Sequence, residues 1–79
     1  MKIKRADGRL NAESARIILA YADANMSATR AAKIAYHHRG TIINHLAYVK
    51  TETGLDGRNF HDLVKLVAMA KEALADVDD

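Results

Sequence analysis

The chain has 79 residues, 12 Lys/Arg against 10 Asp/Glu, 49% apolar residues, no proline and no cysteine. That length holds one domain, and the missing cysteines exclude disulfides and thiolate chemistry. The apolar runs are short and broken by charge, which excludes a signal peptide and a membrane span of ~18 residues; a compact, cytoplasmic, helical protein is expected.

The net charge of +2 hides an asymmetry. Residues 1 to 50 carry nine bases and three acids, a net of +6, whereas residues 51 to 79 carry three bases and seven acids, a net of −4. A basic body with an acidic end fits a polyanion partner, with ordinary solvated surface charge as the plainer reading.

Residues 1–10, "MKIKRADGRL", read as a basic arm. The domain then spans residues 11–75, and residues 76–79 form an acidic tail. Asn11 is a natural N-cap for the first helix, with Glu13 in the first turn where the helix dipole favours an acid. Ala15, Ile18, Leu19 and Ala22 share one face at helical spacing, and Asn25 can close the helix in a left-handed turn. A second, short helix follows Ser27, and Ala28, Ala31, Ala32 and Ala35 keep it thin enough for close packing.

A third helix is expected from about Arg39 to Glu52, with Ile42, Leu46 and Val49 pointing inward. The β-branched run Thr41-Ile42-Ile43 makes a strand the competing reading, but the spacing of the three apolar residues matches the helical period. Gly54 closes this helix in a left-handed cap, followed by Leu55. After a turn-rich link, Asn59 and Asp62 form a capping-box-like pair. The last helix, about Phe60 to Ala75, carries the stripe Leu63, Leu66, Val67, Ala70 and Leu74. Val64, Ala68 and Met69 widen its apolar surface beyond one face. The fold class is therefore all-α, a small four-helix domain.

Two short helices joined by a tight turn form a helix-turn-helix, in which the second helix enters the DNA major groove by its N-terminal end. The pair here is residues 27–35 and 39–52. Off the buried stripe, His38, Arg39, Gly40, Ile43, Asn44 and Ala47 face the groove. Arg39 matches the O6 and N7 acceptors of guanine, and Asn44 matches adenine. Gly40 lets the backbone approach DNA. Ser27, Thr29 and Thr41 are placed to donate to phosphates, and Lys50 to pair with one.

The run "SATRAAKIAYHHRGTIINHL" resembles the Fis-type helix-turn-helix. The longer progression His38-Arg39-Gly40-Thr41-Ile42, Leu46 and Thr53-Gly54-Leu55-Asp56 resembles the C-terminal DNA-binding domain of PucR-type bacterial transcription regulators, over roughly residues 11 to 75. The resemblance implies a transcriptional regulator or its DNA-binding module. It puts Arg39, Thr41, Ile43 and Asn44 at DNA-facing positions, with Ser27 and Thr29 on the phosphate side. The sequence departs from those families at Ile43, Asn44 and His45, where basic or aromatic residues are common, and at Tyr36 and His37 in the turn.

Other chemistry finds little footing. His38 and His45, seven apart on a helix, lie ~10.5 Å from each other along the axis, too far to share one zinc; His38 is either a DNA contact or a turn histidine. No nucleophile has a base and orienter beside it, so no enzyme activity, metal, cofactor or small-molecule substrate is expected. The partners expected are double-stranded DNA and a second copy, a homodimer formed through Val64, Ala68 and Met69 of the last helix. The alternative function is a helical protein–protein interaction and dimerisation module with a degenerate helix-turn-helix.

Overall fold

The computed structural model describes residues 10–77, so the arm over residues 1 to 9 and the end of the acidic tail lie outside the described residues. Four helices follow in order: α1 (Ala12–Asp23), α2 (Ala28–Ala35), α3 (Arg39–Thr53) and α4 (Phe60–Val77). The region read as either helix or strand is helical throughout. α4 continues to Val77, two residues into the segment read as tail.

The caps follow local chemistry. The Asn11 side chain accepts the Ser14 N–H at 2.8 Å, and the Ser27 hydroxyl accepts the Arg30 N–H at 3.3 Å; each satisfies a first-turn donor the helix leaves free. α1 ends through two left-handed residues, Asn25 (φ 57°) and Met26 (φ 64°), with the Met26 N–H reaching back to the Tyr21 carbonyl at 2.9 Å. At the end of α2, Tyr36 is left-handed (φ 59°), and the His37 N–H donates to the Ala32 carbonyl at 2.9 Å. That is a Schellman closure built on a residue other than glycine. Gly54 (φ 76°) caps α3, its N–H donating to the Lys50 carbonyl at 2.9 Å.

α1 is the centre of the fold and packs against each of the other three helices, most extensively against α4. Its burial therefore exceeds the single face expected. Ala15 and Ile18 are buried, but so are Ser14, Ile17, Ala20 and Tyr21, while Leu19 and Ala22 are only half-buried. Leu10, read as the end of the arm, is fully buried in the same core. From α4 come Leu63, Leu66, Ala70 and Ala73; Val67 and Leu74 sit at the margin.

Ile42, Leu46 and Val49 are buried as expected and seat α3 on α1 and α2. Burying each such side chain contributes about 1.5–3 kcal/mol, so Leu46→Ala would cost about 2–5 kcal/mol. The loop between α3 and α4 closes over Leu46. A Cβ built on Gly57 would lie 2.8 Å from Leu46 Cδ2 and 3.7 Å from Leu66 Cδ1. A side chain at this position would push the end of Leu46 aside, whereas glycine lets the loop lie directly on it.

Candidate nucleic-acid interface

α2 and α3 are joined by three residues, Tyr36, His37 and His38. His38 has extended backbone (φ −78°, ψ 151°), and its carbonyl accepts the Thr41 and Ile42 N–H groups, but its side chain makes no capping bond. The first turn of α3 therefore starts without a side-chain acceptor over its N–H groups, which carry the positive end of the helix dipole.

Around that end, His38, Arg39, Gly40 and Asn44 are exposed, Thr41 and Ile43 are half-buried, and Ile42 is fully buried. The inside and outside of α3 thus separate as the apolar spacing implies. A Cβ built on Gly40 would meet nothing within 4 Å, so no internal contact requires a glycine there. Thr29 is exposed on α2, and Ser27 is half-buried with its hydroxyl engaged in the cap.

His45 and His38 lie in different environments. His45 is buried at 2% exposure, whereas His38 is exposed outside the helix proper. The reason is its position one residue before Leu46, on the edge of the buried stripe that meets α1. Burial lowers its pKa from the ordinary histidine value, Glu13 opposes that shift, and His37 adds to it. Its Nδ1 and the buried Ser14 Oγ have no hydrogen-bond partner. His37 Nε2 stands 3.9 Å from Glu13 Oε1 and ties the turn to α1 when protonated. Among the described residues, no group of three or more His, Asp or Glu is placed to hold a metal ion, and no helix is long and apolar enough to cross a membrane.

Farther along α3, Ile43, Leu46, Ala47 and Lys50 line a depression of about 190 Å³ whose far wall is Asp56 and Arg58. Lys50 Nζ lies 3.8 Å from Asp56 Oδ2. In sequence, "GLDGRN" is a turn-rich link. Its glycines and polar residues signal a turn, and nothing in their order shows that Gly57 folds the loop back over Leu46 beside α3.

The helix pair is also the more basic half of the described fold. α2 and α3 together carry Arg30, Lys33, Arg39 and Lys50 against Glu52 alone. On α4, Phe60 and Val64 are exposed, and with Ala22, Met26, Leu63 and Val67 they border an apolar depression of about 200 Å³. Ala68 is exposed, and Met69 is half-buried against the core.

No curated protein and no solved structure matches the chain. The family model of the PucR C-terminal helix-turn-helix domain matches residues 14–71, which take in α2, α3, the loop over Leu46 and most of α4. With that match spanning well over half of its length and its three-residue turn leading into α3, the chain belongs to the PucR C-terminal helix-turn-helix family.

Proposed function

We propose that the chain binds double-stranded DNA in a sequence-specific manner, as a transcriptional regulator or the DNA-binding module of one, with α3 in the major groove. The observation that carries this reading is the first turn of α3. Arg39, Gly40 and Asn44 are exposed beside a helix start with no side-chain cap, on a helix pair with four bases against one acid, in a chain of a helix-turn-helix family. Arg39 is the base reader, because its planar fork matches the two acceptors of guanine. Asn44 reads a neighbouring base, and Ile43 makes the apolar contact. His38, Thr41, Ser27, Thr29 and Lys50 position the helix against phosphates, as polar side chains and helix N-termini do. A homodimer through the exposed part of α4 would read two half-sites about one DNA turn, ~34 Å, apart.

Selection of bound fragments from a random DNA pool, followed by affinity measurement over a range of salt concentration, tests this. A recovered motif is expected, and Arg39→Ala should weaken binding by about 1–3 kcal/mol while relaxing preference at one position. An equal loss on every sequence would make Arg39 a phosphate contact instead. Absence of binding by the parent at low salt would sink the reading and favour a protein-interaction module.

A further inference from the structure

We propose that Arg58, on the loop between α3 and α4, binds a phosphate of the DNA beside the recognition helix, and that it outweighs Lys50 as the phosphate contact of this edge. The inference rests on the DNA-binding reading above.

Four observations place it there. Gly57 is buried against Leu46, whose Cδ2 would lie 2.8 Å from an added Cβ, and this brings the next residue alongside α3. Arg58 then forms one wall of the depression lined by Ile43, Ala47 and Lys50, the outward stripe that continues from the first turn of α3. The loop is fixed rather than slack: the Asp56 carboxylate accepts the Arg58 N–H at 2.9 Å, and the Asp62 carboxylate accepts the Asp56 N–H at 3.1 Å. Finally, Arg58 is exposed, and no bond to its guanidinium is found among the described residues.

Lys50 is in a different state, because Asp56 Oδ2 stands 3.8 Å from its Nζ and offsets its charge. A phosphate reaching Lys50 must compete with that carboxylate. Among the described residues nothing bonds the Arg58 guanidinium, and a guanidinium offers a planar pair of donors to a phosphate. Each neutralised phosphate releases condensed counterions, so the contact has a measurable salt signature.

The experiment compares the parent, Arg58→Ala, Arg58→Gln, Arg58→Lys and Lys50→Ala on the selected DNA and on an unrelated duplex, across salt concentration. Helical content by dichroism establishes that each variant is folded, and the glutamine variant keeps the length of the side chain if alanine disturbs the loop. Arg58→Ala and Arg58→Gln should each lose roughly tenfold in affinity at ~0.1 M salt on both duplexes, with the salt slope smaller by about 0.9. Arg58→Lys should keep the slope, and Lys50→Ala should lose less than Arg58→Ala. If the parent binds and the neutral Arg58 variants match its slope, Arg58 lies outside the footprint and this inference fails alone. Altered base preference in place of a changed slope would make Arg58 a base contact and also overturn it. If the parent shows no low-salt binding, the DNA-binding reading falls and this inference falls with it.

Discussion

Asp62 Oδ2 accepts the backbone N–H of Asp56 at 3.1 Å, tying the first turn of α4 to the loop that closes over α3. The sequence pattern suggests a reciprocal pair with Asn59. Half of that pair forms: Asn59 Oδ1 accepts the Asp62 N–H at 3.2 Å, while the Asp62 carboxylate reaches back three residues farther. Asp62→Ala removes an acceptor from a partly buried amide and an acid from the helix start. It should cost about 1–2 kcal/mol, seen as a lower urea midpoint. An unchanged midpoint would mean that water replaces the carboxylate at no cost.

Tyr36 is held in the left-handed region (φ 59°, ψ 41°) with 94% of its surface exposed. The backbone is strained and the ring buries almost nothing in return. Tyr36→Gly should therefore stabilise the domain by about 1 kcal/mol, a rise of about 4–8 °C in Tm for a domain of this size. A lower Tm would show that the ring contributes packing that its exposure does not reveal.

The helices and α3's inner face were legible because they rest on local signals. Asn11 and Ser27 cap where their short polar side chains reach the next turn, and Ile42, Leu46 and Val49 repeat at the helical period. What the sequence concealed depends on contacts between distant segments. Ile17 and Tyr21 lie off the expected face of α1, yet they are buried because α2, α3 and α4 surround that helix. The burial of His45 follows only once α3 is laid on α1. Arg58 joins the outer face of α3 only because Gly57 folds against Leu46. The exposed start of α3, from His38 to Gly40 with Asn44, was legible as the complement of the buried stripe.

His45 should make the fold sensitive to acid. Burial lowers its folded-state pKa, so below the unfolded value of about 6.5 the unfolded chain binds the proton more readily. Stability then rises with pH where the unfolded state holds more protons. This contribution is fully present above about pH 6.5 and is lost as the pH falls below it. His45→Leu should flatten the urea midpoint between about pH 5 and 7, and it removes a buried nitrogen without a partner. A parent midpoint that does not fall toward pH 5 would mean that the imidazolium finds compensation, with Glu13 the nearest source.

Phe60 and Val64 leave exposed apolar surface on α4, a helix that also exposes Lys65 and Lys71. A second copy related by a two-fold axis would cover it patch on patch, and so short a chain gains from the added burial. Val64→Asp with Ala68→Asp should convert a dimer to a monomer in sedimentation while leaving helical dichroism largely intact. A parent that sediments as a monomer at high micromolar concentration ends the proposal for this face.

Gly40 separates stability from recognition. It lies in the first turn of α3, where glycine is a poorer helix former than alanine by about 0.5–1 kcal/mol. Nothing in the fold compensates, since an added Cβ would meet no atom within 4 Å. Gly40→Ala should therefore raise the urea midpoint. If α3 enters the major groove by this end, the same methyl group stands between the helix backbone and the DNA, next to Arg39. Affinity should then fall, while Ala47→Gly, on an exposed position farther along the helix, should lower stability with a smaller effect on binding. Urea unfolding and DNA titration of the same two variants measure both quantities. Gly40→Ala that is more stable and binds as tightly as the parent would remove close approach at this turn. The entry point would then move along α3 toward Ile43 and Ala47.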